Sequence, residues 1–257
     1  MKKHYLLLAS LAVSSALCGG PWIFSQTTPA NSTALFQVPF VGCASDGQTG
    51  PLAAPTGESK KFAVSAAAAQ RLAYYKAQYG PSVLAPRGWH CFSTYGSNGG
   101  SLSVSPDPID SKMLFSDAWK GFAGQVIEIS VSSGGTSGRF EVAKVIARVF
   151  PAYKKFAQNV IAEGLEPASD FPFGPYPSDK LTDRGTNIVE FETPANTQGL
   201  GTDSRLQANA SPIDGVAIIA GTDTDLIQLS ARVSAKDRDL IPLIVKQVES
   251  EAANATQ

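Results

Sequence analysis

Apolar residues recur along this chain in short two-residue alternations that come in clusters, and helical periods interrupt them only a few times. Val126-Ile127-Glu128-Ile129-Ser130-Val131 alternates most clearly and predicts a central strand. Ile188 to Glu192, Val216 to Ile219 and Leu226 to Val233 predict further strands. Trp89 to Tyr95 and Leu102 to Val104 flank Gly96-Ser97-Asn98-Gly99-Gly100, the pattern of two antiparallel strands joined by a loop. Leu35 to Val41 is apolar but broken by Pro39, which suits an edge strand.

Helical signals are fewer. Ala66 to Tyr79 carries Ser65 as an N-cap, Gly80 where a left-handed residue ends a helix, and Pro81 as a stop. Arg139 to Val149 places Val142, Val145, Ile146 and Val149 on one stripe, and a second helix continues beyond Pro151 to Gly164. A last helix runs from Leu240 to Ala252, while residues 165–186 read as a long loop rich in Pro and Gly. Strands in clusters, not alternating with helices, predict an α+β fold: an antiparallel β-sheet covered by several helices. With 257 residues, 43% of them hydrophobic, a core can form without a metal. The expected arrangement is a single large domain over residues 35–253; two subdomains split near residues 120–124 are the alternative.

Met1-Lys2-Lys3-His4 followed by apolar Tyr5 to Leu17 has the layout of a secretory signal peptide, assigned to residues 1–18. Residues 19–34 are small, polar and without period, as a flexible linker is. A secreted or periplasmic location follows, with no membrane span once the leader is cleaved. Anchoring through an uncleaved N-terminus, or one lipidated at Cys18, is the alternative. Once the leader has taken Cys18, export pairs Cys43 with Cys91 as a disulfide.

Charge narrows the partners. Formal net charge is −1, and the longest basic runs after the leader are Lys60-Lys61 and Lys154-Lys155, so no nucleic acid is expected. His90 is the sole histidine beyond the leader, which excludes a multi-histidine metal site and a histidine triad built from several candidates. No cofactor and no metal are expected. His90 and Trp89 stand beside Cys91, and an oxidised Cys91 is no nucleophile.

Three segments are candidates for ligands. Ser132 to Arg139 joins a strand to a helix through glycines, so Gly135, Thr136, Ser137 and Arg139 are expected to hold an anion at the helix start; a tight capped connection is the plainer reading. Phe171 to Pro177 places Phe173 and Tyr176 in a Pro-rich loop, as a binding platform that Trp89 and Tyr95 extend or as a seal on the core; His90, next to Trp89, is a further ligand candidate. Glu190 and Glu192, two apart on a strand, share a face and have the chemistry of a hydrolase pair. These features predict a non-catalytic binding or accessory module for an envelope component, a protein or a small ligand. An extracytoplasmic hydrolase with paired carboxylates and a structural envelope subunit are the alternatives.

Overall fold

The computed structural model describes residues 34–255; the expected leader and positions 19–33 of the expected linker lie outside the described residues. Strands β1 (Leu35–Val38), β2 (Phe40–Gly42), β3 (Ala44–Gly47) and β4 (Lys60–Ala63) precede helix α1 (Ala66–Arg71). Strands β5 (Leu72–Lys76), β6 (Ser82–Pro86), β7 (His90–Gly96) and β8 (Gly99–Ser105) follow, then the short helix α2 (Ser111–Leu114). Next come β9 (Val126–Ser132), helices α3 (Arg139–Val149) and α4 (Lys154–Ala162), and strands β10 (Lys180–Asp183) and β11 (Ile188–Thr193). Strands β12 (Ile213–Ala220) and β13 (Asp225–Arg232) and helix α5 (Ile241–Ala255) complete the order.

Eight strands form one sheet in the order β10-β11-β12-β13-β9-β8-β7-β3, β2-β5-β6 form a second, and β1 pairs with β4. The expected antiparallel sheet covered by several helices is corrected on two counts. The large sheet is mixed, because β3 joins its edge parallel to β7 with Ala44 opposite Phe92. Strand also dominates the chain, and one face of the large sheet packs against β6 of the second sheet with α5 beside it.

Much of that correction lies in residues 66–79. Ser65 does cap α1, its hydroxyl accepting the Ala68 amide at 3.1 Å, but the helix ends at Arg71. Leu72, Ala73, Tyr74 and Tyr75 are all buried, which a one-sided helical stripe does not allow. They form β5 instead, with Tyr74 opposite Phe40 on one side and Leu84 on the other. Two consecutive tyrosines fit a pleated, doubly covered strand better than a helix. Gly80, at φ +87°, then belongs to the turn into β6. Likewise β10 is an edge strand inside the segment expected as loop.

Period-two alternation gives the large sheet two different faces. Leu102 and Val104 of β8, Ile127 and Ile129 of β9, and Leu229 and Ala231 of β13 share one face, buried with Leu84, Ile244 and Val248. The opposite face is divided. Over β11 and β12 it is apolar, with Val189, Phe191, Ala217 and Ile219 packed in one cluster with Val142, Ile146 and Val149 of α3. Over the middle of β13, β9, β8 and β7 it is polar, and beyond that Phe92 of β7 and Val126 of β9 join a third apolar cluster with Phe122 and Leu206.

Candidate functional site

The polar half arises because three neighbouring strands each place hydrophilic residues two apart. Glu128 and Ser130 of β9 lie between Ser101 and Ser103 of β8 and Gln228 and Ser230 of β13. In register, Ser103 and Ser230 stand directly opposite Glu128 on either side. All of them except Ser130 are buried, Glu128 being 4% exposed. Hydrophilic groups at the centre of a sheet oppose packing, since burying a polar group without a partner costs about 1 to 3 kcal/mol. Here the Ser103 and Ser230 hydroxyls, each residue 1% exposed, make no hydrogen bond.

Ser101, Glu128, Ser130 and Gln228 floor a cleft of about 710 Å³ walled by α3, the β7–β8 hairpin and the loop carrying Asp203 to Arg205; Ser103 and Ser230 lie outside its lining. The hairpin closes tightly, with Gly96 opposite Gly99. Gly99 adopts φ +139°, and a Cβ there would sit 1.9 Å from the Val131 carbonyl oxygen, so only glycine lets β8 approach β9 at this corner. Phe115, Tyr95 and Tyr176 stand around the cleft.

Arg205 reaches Glu128 in two ways. Its backbone amide donates to Oε2 at 3.1 Å, and its guanidinium Nε lies 3.6 Å from Oε1. Arg205 Nη2 also donates to Thr94 Oγ1 at 3.4 Å, while Nη1 makes no hydrogen bond. Burial pushes the Glu128 carboxyl up to about 7, against the opposing pull of Arg205. Across the cleft, Tyr176 donates to both Asp203 oxygens at 2.7 and 2.8 Å, and the Arg148 guanidinium stacks 3.9 Å from the Tyr176 ring centre. Desolvation raises Asp203 and holds the Tyr176 phenol up at about 12, so the phenol stays a donor.

A stability effect follows from Glu128. The folded state binds its proton more tightly than the unfolded chain does, so this group's stabilising contribution is complete below about 4.5 and is lost as pH rises through about 7. Its size is at most about 3 kcal/mol. Urea unfolding of the wild type is expected to show that loss between the two pH values, and Glu128→Gln to flatten it. Identical pH profiles for the two proteins would contradict the assignment.

The residues singled out from sequence are scattered. Tyr176 lines the cleft, but Phe173 is 48% exposed with Lys154 5.3 Å from its ring centre. Phe171 of the same loop is buried in the core under α3. Trp89 packs against the core and its amide donates to the Tyr75 hydroxyl at 3.1 Å; His90 is exposed at the start of β7. At the glycine-rich loop, Arg139 pairs with Glu163 through Nε at 2.9 Å and Nη2 at 2.5 Å, and its Nη1 donates to the Thr136 carbonyl. The Gly134 amide there donates to Asp225 Oδ1 at 2.9 Å, and Gly135 lies against Asp223. Carboxylates thus stand beside Gly135 and Arg139, while the Thr136 hydroxyl donates to the Ser133 carbonyl and accepts from the Gly138 amide.

Glu190 and Glu192 line a different groove of about 660 Å³, beside α5. Arg184 holds both oxygens of Glu190 at 2.8 and 3.1 Å, while Lys180 and Arg238 flank Glu192 and keep its carboxyl below the usual range. A carboxyl held ionised in this way is no proton donor.

Glu128, Gln228, Ser101 and Arg205 carry the cleft and escaped the sequence reading. For the first three the only local signal is a polar residue at every second position of a strand, which also describes a solvated face; Arg205 lies in the loop between β11 and β12 and has no such signal. Among the described residues, no three His, Cys, Asp or Glu side chains gather as metal ligands, and no helix is long and apolar enough to cross a membrane. Set beside known proteins, the chain matches no family model, no curated protein and no solved structure.

Proposed function

We propose that this is an exported, non-catalytic binding protein whose cleft over Glu128, Ser130 and Gln228 takes a small polar ligand. The observation that carries the reading is the polar floor itself, buried at the centre of a sheet and open to a cleft of ligand size. Apolar side chains there would have packed α3 directly onto β9 and β8. Keeping the Glu128 carboxyl buried in the floor costs stability, and a ligand that hydrogen-bonds to it there offsets that cost. Export is supported by the leader-like N-terminus and by the Cys43–Cys91 disulfide, which is compatible with an oxidising compartment.

Gln228→Ala keeps the charge and the strand but removes one hydrogen-bonding group from the floor. It is expected to weaken ligand binding about tenfold, the effect of losing one well-formed hydrogen bond. Calorimetric titration of wild type and variant checks this, and equal affinity for a ligand mapped to the cleft would contradict it. A second reading, hydrolysis with Glu128 as proton donor, is favoured by a carboxyl that faces the cleft and titrates near 7. Slow cleavage of the bound ligand by the wild type, absent in Glu128→Gln, would select it.

A further inference from the structure

We infer that the ligand of the cleft is a neutral saccharide, either free or at the end of a glycan chain; this rests on the reading of the cleft as a binding site. Two features of the cleft support the class independently.

The first is charge pairing. Two of the three cations of the cleft wall face carboxylates: Arg205 lies at Glu128, with its Nη1 left without a partner, and Lys144 bridges Glu141 at 3.0 Å and Glu166 at 3.2 Å; Arg148 sits on the Tyr176 ring and donates to the Gly174 carbonyl at 3.3 Å. A phosphate or sulfate is held by several free donors at once; Arg205 Nη1 is one, but recruiting Arg205 Nε or Lys144 would break the pairs to Glu128, Glu141 and Glu166. A polyamine meets the converse obstacle at Glu128, which has Arg205, and at Glu141, which has Lys144, whereas Asp203 holds the Tyr176 hydroxyl and Asp170 the Ser169 hydroxyl, neither with an ion pair among the described residues. A ligand without formal charge leaves every pair intact.

The second is the alternation of chemistry from floor to rim. The floor offers hydroxyls from Ser101 and Ser130, the Glu128 carboxyl and the Gln228 amide, whose Nε2 is committed to the Leu200 carbonyl at 3.1 Å and whose oxygen is left to accept. Ser101 and Thr94 are linked by their hydroxyls at 2.8 Å, so a ligand hydroxyl can join an existing chain of donors and acceptors. The rim offers rings instead: Phe115, 56% exposed, with Tyr95 and Tyr176. Tyr95 is held in place by its hydroxyl, which donates to the Gly50 carbonyl at 2.6 Å. A sugar has hydroxyls along its edges and C–H groups on its faces, and so presents both kinds of surface at once. The cleft volume lies within the ~300 to 1,000 Å³ of small-molecule sites, enough for a short oligosaccharide.

The test is calorimetric titration of the full chain with neutral mono- to tetrasaccharides built from hexoses, pentoses and N-acetylhexosamines. Inorganic phosphate and spermidine serve as anionic and cationic probes. Binding is expected with Kd below about 1 mM. It should change less than about twofold between about 50 and about 500 mM NaCl. Affinity should fall about tenfold in Gln228→Ala and in Phe115→Ala, the latter an exposed position whose loss leaves folding intact. Higher affinity for the longer oligomers places the ligand at the end of a glycan, and equal affinity for a mono- or disaccharide makes it a free sugar. Salt-sensitive binding of phosphate or spermidine, weakened by Gln228→Ala while all saccharides stay silent, would overturn the saccharide class and leave the cleft a binding site. Silence from every probe would overturn both.

Discussion

Replacing Arg232 by leucine is expected to destabilise the protein by about 3 to 5 kcal/mol, which would lower Tm by roughly 10 to 15 °C in a chain of this size. Arg232 is 2% exposed at the end of β13, and no carboxylate among the described residues pairs with it. Its guanidinium instead donates to the carbonyls of Phe122 at 3.2 Å, Gly124 at 3.3 Å and Gln207. Desolvation lowers its pKa, yet a guanidinium stays charged, so the carbonyls must supply the whole solvation shell. Leucine would take this donor from the Gly124 and Gln207 carbonyls and leave the Phe122 carbonyl only the Gln207 amide. Lysine is expected to recover little, because one ammonium cannot reproduce the planar fork.

The same substitution should reach the cleft. The Phe122 amide donates to the Arg205 carbonyl at 2.7 Å and the Gln207 amide to the Phe122 carbonyl at 2.9 Å, so Arg232 clamps the two segments that hold the Arg205 amide against Glu128. Loss of ligand affinity together with the fall in Tm is therefore expected. A Tm within about 2 °C of the wild type would show that water replaces the clamp at little cost.

Removing the disulfide is the second large effect. Cys43 lies between β2 and β3, where the chain leaves the three-stranded sheet for the large one, and its amide donates to the Lys76 carbonyl at 2.9 Å. Its bridge to Cys91 closes a sequence separation of 48 residues. Chain entropy sets the stabilisation at up to about 4 kcal/mol. Cys43→Ser with Cys91→Ser is expected to lose most of that in urea unfolding. Amide exchange should quicken first in β3, the edge strand held parallel to β7. Unchanged protection of Ser45 and Asp46 would contradict a stapling role.

Much of the sheet was legible in the sequence, and its errors share a cause. Val126 to Val131 and Leu226 to Val233 announce themselves by alternation, because each buries one side against an apolar layer. Ala66 to Tyr79 misleads because its helix signals at both ends are genuine local chemistry, while the partners that make Leu72 to Lys76 a strand, β2 and β6, come from elsewhere in the chain. The parallel edge is hidden for the same reason: nothing in Ala44 to Gly47 itself marks its neighbour. The candidate site was the least legible part. Glu128, Gln228 and Ser101 are far apart in sequence and become one floor only through the β8-β9-β13 register, in which Ile129 stands between Leu102 and Leu229. Tyr176 was reached because aromatic residues in a Pro-rich loop are conspicuous, and Arg139 because a basic residue after glycines is; only the first lines the cleft.

The most direct measurement is an amide-resolved NMR titration of the full chain with pooled neutral saccharides, followed by phosphate and spermidine. Shift changes concentrated at Ser101, Glu128, Ser130, Arg205 and Gln228 are the expected result, with Gln228→Ala needing about tenfold more ligand to reach them. Shifts confined to the groove around Glu190 and Glu192, or to Trp89 and His90, with the floor of the large sheet unmoved, would contradict the placement of function in this cleft.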